Sequence, residues 1–216
     1  MLGKRGIVRG FYLFGIFGML AIGAGCAETK RLRQENQQLN ENVSGLQQEN
    51  AELSSKIGMY EHELSRLENS RRELEAKLKG TGATTRIKNG AVSISLPGTI
   101  LFDSGKTTLR PQSKATLRKI SQVLKSEVPN EIVRIEGHTD NEPINKQKDK
   151  YKSNWELSAA RATAVLHYMV EECGVSPTKV YIAGFGQYQP VSDNRSKTGK
   201  AKNRRVEFVI VPRGGG

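Results

Sequence analysis

Cysteine is nearly absent from this chain: Cys26 and Cys173 are the two in 216 residues. That rules out a disulfide-stapled scaffold and leaves no thiolate cluster for a metal. Histidine is almost as scarce, with His62, His138 and His167, so a histidine-rich metal centre is excluded as well. Aromatic residues make up 6% of the chain, and Trp155 is the sole tryptophan. No acidic residue precedes Glu28, and the stretch from Gly10 to Ala27 carries no charge at all. What is present is a high general charge. At 26% charged residues the chain is too polar for a polytopic membrane protein, yet 36% hydrophobic residues suffice for one packed core. The net charge of +12 is unevenly placed: residues 27–83 hold nine basic and ten acidic side chains, residues 84–216 hold 22 and 12. An anionic partner is therefore expected at the C-terminal part.

Lys4, Arg5 and Arg9 precede the uncharged run, the pairing of a basic end with an apolar segment that export signals need. The run closes on Ile22-Gly-Ala-Gly-Cys26. Small side chains before a cysteine let a peptidase approach the backbone next to a thiol that receives lipid, and the segment resembles a bacterial lipoprotein signal with Cys26 as the lipidated residue. Gly23 stands where such signals carry Leu, Val or Ile, with Ile22 one position further out. The competing reading is an uncleaved signal anchor, since 18 uncharged residues reach the lower limit for spanning a bilayer. Both readings place everything after residue 27 outside the inner membrane. If lipidated, Ala27 lacks the aspartate that retains lipoproteins in the inner membrane, which implies the outer membrane. Cys173 reads as a small apolar residue near a helix end.

Leu32, Leu39, Leu46, Leu53, Tyr60, Leu67 and Leu74 recur every seven residues, each followed four later by Asn36, Val43, Asn50, Ile57, Leu64, Arg71 and Leu78. Leucine at d with Val, Ile and Asn at a predicts a coiled coil, with the asparagines fixing register in a parallel dimer. At about 1.5 Å per residue, Leu32 to Leu78 predicts a rod of roughly 70 Å. The plainer reading is a single amphipathic helix lying on the C-terminal domain, for which the stripe is narrow. Gly80-Thr-Gly82 is expected to end the rod. The expected organisation is thus a signal peptide or signal anchor at 1–26, a coiled coil at 27–79, a hinge at 80–90, a domain at 91–212 and a tail at 213–216.

From Ala91 the period changes. Residues 91–96 alternate and stop at Pro97-Gly98, predicting a strand. Helical spacing follows over 111–125, then a strand at 132–136, a helix over 154–172 ending at Gly174, and strands at 180–183 and 206–211. Alternating strands and helices predict an α/β fold, a two-layer α/β sandwich with helices on one face of a mixed sheet.

Five motifs in order carry a resemblance: Ile100-Leu-Phe-Asp-Ser-Gly105, Gly137-His-Thr-Asp140, Asn154-Trp-Glu-Leu-Ser-Ala-Ala-Arg-Ala162, Gly184-Phe-Gly186 with Pro190, and Asn203-Arg-Arg-Val-Glu207. Together they resemble the OmpA-like peptidoglycan-binding domain, and the stretch 137–162 is similar to the domain of the flagellar-motor protein MotB. The resemblance implies that Asp140 meets the ammonium and Arg161 the carboxylate of a zwitterionic diaminopimelate head in a peptidoglycan stem peptide. A planar guanidinium suits bidentate carboxylate binding. It further implies roles for Phe102, Asp103, Ser104 and Arg204, with Thr139 orienting Asp140. Asn154, two helical turns before Arg161, should share its face, and Leu157 should line the same pocket.

Each residue also has a plainer explanation. Asp140 could cap its loop, and Arg161 could pair with Glu156 or Glu172 on a solvated helix face. His138 beside Thr139-Asp140 suggests part of a nucleophilic triad, but no serine or cysteine sits in a nucleophile turn. No catalysis, no metal and no cofactor are expected. Trp155 reads as a packing residue rather than a sugar platform. The basic runs 146–152 and 195–205 could meet phosphates. In an exported protein they are expected to meet envelope anions, and no nucleic acid. The expected function is a non-enzymatic tether between outer membrane and cell wall, dimeric through the rod. A MotB-like stator held in the inner membrane is the main rival. It would need a carboxylate inside the membrane, and residues 10–27 have none. A peptidoglycan hydrolase is the third reading.

Overall fold

Three leucines, two in the last turns of the long N-terminal helix and one just past its end, decide where the helix ends its independent course. The computed structural model describes residues 7–144 and 148–211, with side chains described from Ala27 onward. Cys26, the uncharged run and Lys146 therefore fall outside the described side chains. Helix α1 (Ile7–Lys77) is continuous, and the chain divides into two units, residues 1–61 and 62–216. In the first unit the stripe of Leu32, Leu39, Val43, Leu46, Leu53 and Ile57 stays 46% to 58% exposed. In the second unit Leu67, Leu74 and Leu78 are buried and belong to the domain's own hydrophobic core. The last heptads, expected to be spacer, are thus part of the globular unit. A seven-residue repeat reads the same whether its apolar stripe faces a second helix or a core.

The expected hinge is also structured. Residues Thr84–Lys88 form strand β1, which pairs antiparallel with β2 (Ala91–Pro97) around a two-residue turn. Asn89 (φ 50°) and Gly90 (φ 70°) both take the left-handed conformation that such a hairpin requires. After β2 come the short helix α2 (Gly98–Leu101), α3 (Ser113–Glu127), β3 (Ile132–His138), α4 (Asn154–His167), β4 (Val180–Gly184), α5 (Lys197–Asn203) and β5 (Arg205–Val211). A π-helical turn, Tyr168–Glu172, prolongs α4. Five strands make one mixed sheet in the order β1-β2-β5-β3-β4, with β3 and β4 parallel and the other neighbours antiparallel. The two-layer α/β arrangement is the expected one.

Alternation in the strands sorts side chains between two faces. Val92, Ile94, Leu96, Val133, Ile135, Val206, Phe208 and Ile210 form the core with Leu117, Ile120, Val123 and Leu124 of α3, and with Ala162 and Val165 of α4. Two glycines set how close α4 lies to the sheet. A Cβ on Gly137 of β3 would sit inside the van der Waals shell of the Ser158 carbonyl oxygen, and one on Gly184 of β4 would lie 2.8 Å from the Ala159 backbone nitrogen. Without side chains at these points, the first half of α4 rests directly on the C-terminal ends of β3 and β4. That contact brings α4 up to the residues just beyond β3.

Candidate functional site

The backbone just past β3 carries Thr139 and Asp140, both buried. Thr139 N–H donates to the Gly186 carbonyl at 2.9 Å, tying this end to the turn after β4. Facing it, α4 presents Asn154, Leu157 and Arg161. From the third side come α2, whose first residue Gly98 donates its N–H to the Arg204 carbonyl at 2.7 Å, and the loop that follows it. A Cβ on Gly98 would stand 3.0 Å from that same oxygen, so glycine lets α2 approach the start of β5. These elements enclose a cavity of about 460 Å³. All nine residues expected at the site (Phe102, Asp103, Ser104, Thr139, Asp140, Asn154, Leu157, Arg161 and Arg204) line it.

The charges in the cavity are unequally matched. Asp140 accepts a hydrogen bond from Arg204 Nη1 through Oδ2, and one from the Glu142 backbone N–H at 3.3 Å through Oδ1. Arg161 is 7% exposed, and its Nε donates to the Lys106 carbonyl at 3.2 Å. Its guanidinium carbon lies 5.3 Å from the centre of the Phe102 ring. Among the described residues no carboxylate forms an ion pair with it, so it pairs with neither Glu156 nor Glu172. Burial holds its pKa below the usual arginine value and the Arg204 charge adds to this, while Asp140 and Tyr151 oppose. A buried cation in contact with one carbonyl and an aromatic face is a ready hydrogen-bond donor to an incoming carboxylate.

The remaining residues shape the wall. Asn154 Nδ2 donates to the Glu142 carbonyl at 3.0 Å and to Gln187 Oε1 at 2.9 Å, holding the loop after Asp140 to α4. Thr139 Oγ1 is buried with no hydrogen-bond partner, so its hydroxyl is not bonded to Asp140. Asp103 pairs with Lys106 and Arg110 at 3.3 and 3.2 Å, keeping the turn between α2 and α3 folded. Sequence reasoning gave no role to Glu142, Pro143 and Ile144, which also line the cavity. Their signal was a run two to four residues beyond Asp140, within the stretch similar to MotB.

One other expectation is corrected. Trp155 does not pack inside: it is 47% exposed and stacks on Tyr188. Four cations of the basic run 195–205 make ion pairs within the chain. Arg195 pairs with Asp193, Lys200 with Glu142, Arg204 with Asp140 and Arg205 with Glu207.

On the sheet face away from the helices lies a buried polar group. Glu136 and Glu207 stand directly opposite each other on β3 and β5, a like-charge pair that is unfavourable unless compensated. Compensation comes from Arg134 on Glu136 at 2.7 Å, Lys88 on both carboxylates at 3.3 and 3.6 Å, and Arg86 and Arg205 on Glu207. Burial raises the Glu136 pKa, but hydrogen bonds from His138 and Arg134 and the Lys88 and Arg134 charges outweigh it and hold the group at about 2. Glu207 is likewise lowered: burial is opposed by Arg205, Arg86 and His138. His138 belongs here, its Nε2 3.2 Å from Glu136 Oε2 and its ring stacked on Phe185. Burial pushes its pKa down. The trio Glu136, His138 and Glu207 has metal-ligand spacing. Four cationic side chains already occupy its carboxylates, so a metal would have to displace them. The network braces β3 and β5, the strands that carry Asp140 and Arg204 at their ends.

Residues 101–204 match the sequence profile of the OmpA family. Motility protein B of Bacillus subtilis is 37% identical over 60% of this chain and 49% of its own length. The probable lipoprotein YiaD of Escherichia coli is 31% identical over 65% of this chain and 60% of its own length. The chain spans about half the length of the curated relatives it matches. Among solved structures, a MotB-like protein from Desulfovibrio vulgaris superposes with a TM-score of 0.64 at 25% identity, covering 72% of this chain and 97% of that one. The cell wall anchor of the T6SS from Pseudomonas aeruginosa gives 0.56 at 29% identity, covering 65% and 95%.

Proposed function

We propose, from the premise that residues 101–204 form an OmpA-family domain, that the protein grips the peptide stems of peptidoglycan without cleaving them. Asp140 takes the ammonium and Arg161 the carboxylate of a diaminopimelate-type head group. The observation that carries this reading is Arg161: a buried guanidinium that forms no ion pair with a carboxylate among the described residues, in one cavity with an anion from another element. Ligand binding supplies the missing counter-charge to Arg161, and the ammonium competes with Arg204 for Asp140. Leu157 and Phe102 keep the head group away from water, which strengthens both charge-assisted bonds.

Lipid on Cys26 anchors the chain in the outer membrane, and two copies associate through the exposed stripe from Leu32 to Leu64. Doubling the wall-binding domains raises the effective concentration for the second contact. The chain then works as an envelope tether, the kind of task named for the cell wall anchor from P. aeruginosa. The kinship with Motility protein B favours a second reading, a motor-associated protein of the inner membrane. The absence of Asp and Glu from residues 10–27 counts against ion conduction in that reading.

The test is sedimentation of the purified domain with labelled cell-wall sacculi. Saturable pelleting without released fragments is expected, and soluble fragments would indicate a hydrolase. Asp140→Ala or Arg161→Ala should weaken pelleting at least about 30-fold, as for truncating one side of a buried charge contact, with far-UV circular dichroism unchanged. Pelleting by both variants at the parent level would refute the pocket.

A further inference from the structure

Beside the cavity lies a second feature that the peptide-binding reading does not use. Trp155 is the second residue of α4, next in the chain to cavity-lining Asn154. Its indole stacks on the phenol of Tyr188, with ring centroids 4.8 Å apart and planes at 22°. Neither ring belongs to the hydrophobic core, and the two are 47% and 61% exposed. The pair is nonetheless held rigidly. Ser158 Oγ donates to the Trp155 carbonyl at 2.8 Å and accepts from Gly186 N–H at 2.9 Å. Tyr188 N–H donates to the Phe185 carbonyl at 3.2 Å. The Asn154–Gln187 hydrogen bond, 2.9 Å, ties the residue before each ring to the other. Two large, fixed, half-exposed aromatic residues at the rim of a charged cavity have the make-up of a binding hot spot.

We propose that Trp155 and Tyr188 form a saccharide subsite that takes an amino sugar of the glycan strand while the cavity holds the stem peptide. The proposal rests on the reading of the cavity given above. A pyranose ring presents a face of C–H groups carrying slight positive charge, which complements the negative face of an aromatic ring. The uncharged contact suits a sugar, and an anionic ligand would seek Arg161 or Arg204 instead. Reach agrees with this assignment. Diaminopimelate is the third residue of its stem, so two residues, roughly 7 Å of extended chain, separate it from the sugar-bearing end. Trp155 follows Asn154 by a single step of about 3.8 Å between Cα atoms, so the backbone that carries the Trp155 ring lies within that span of the cavity wall.

Trp155 is the sole tryptophan, so its fluorescence reports on the subsite directly. The full chain in detergent micelles is titrated with peptide-free glycan strands and, separately, with a soluble diaminopimelate tripeptide, the latter followed by calorimetry. The expected result is a saturable fluorescence change with glycan that Tyr188→Ala weakens at least fivefold, with tripeptide affinity within twofold of the parent. Asp140→Ala should do the reverse, losing the tripeptide and keeping the glycan response. No saturable response of the parent to glycan, or an unaltered response in Tyr188→Ala, overturns the saccharide subsite. Unchanged tripeptide affinity in Asp140→Ala instead overturns the cavity reading, so the two failures are distinct.

Discussion

Gly137 and Asp140 lie three residues apart and serve the site in different ways: one by having no side chain, the other by its charge. Gly137 lets the Ser158 backbone come into contact with β3, and that approach is what places Arg161 near Asp140. Gly137→Ala is expected to cost at least about 2 kcal/mol, as for forced overpacking, measured as a fall in the urea midpoint, and to weaken wall binding as well. Glu136 makes a prediction about pH. Its pKa is depressed to about 2, so the stabilisation it contributes is complete above its unfolded value near 4.3 and disappears as pH falls toward 2. Roughly 3 kcal/mol is involved, and Glu207 shifts in the same direction. Chemical unfolding between pH 6 and pH 2.5 should show stability falling below about pH 4.5. Glu136→Gln should flatten that slope while destabilising the domain at pH 6.

At the scale of elements, one repeat performs two tasks. Leu53 and Leu74 occupy the same heptad position, yet Leu53 is 48% exposed and Leu74 fully buried in the domain core. Leu53→Asp together with Leu46→Asp is expected to convert a dimer to a monomer in sedimentation equilibrium with the domain's melting unchanged. Leu74→Ala should cost about 2–5 kcal/mol of domain stability and leave association intact. Equal effects on both readouts would remove the division of the helix into a seam and a core segment. The sequence could not reveal this division, because periodicity records which residues are apolar and not what covers them. Strand β1 was hidden for a related reason. Thr84-Thr-Arg-Ile-Lys88 has one apolar residue, since it lies at the sheet edge with Arg86 and Lys88 turned toward buried carboxylates. Its signal was the Asn89-Gly90 turn. The cavity was more legible, because the resemblance to the OmpA-like domain pointed to Asp140, Arg161, Phe102, Asp103, Ser104 and Arg204, and helical spacing added Asn154 and Leu157 on the face of Arg161. Trp155 was misread because a lone tryptophan is usually a packing residue, and its exposure depends on a partner 33 positions away in the chain.

For the whole molecule, the proposed tether rests on a long helix, a two-layer domain and a charged cavity at one end of its sheet. Cys26→Ser should abolish incorporation of a fatty-acid probe and move the protein out of the outer-membrane fraction; unchanged labelling would remove the lipid anchor and favour the inner-membrane reading. The central claim is narrower: one acid and one base hold a zwitterion. Calorimetric titration of the parent and Arg161→Ala with two tripeptides, one ending in diaminopimelate and one in lysine, tests it most directly. Only the former carries the extra side-chain carboxylate beside its ammonium. The account predicts that the parent prefers diaminopimelate at least about tenfold, as expected for a charge-assisted bidentate contact, and that Arg161→Ala binds the two peptides equally. Equal affinity for both peptides in the parent, or a preference that survives in the variant, would contradict it.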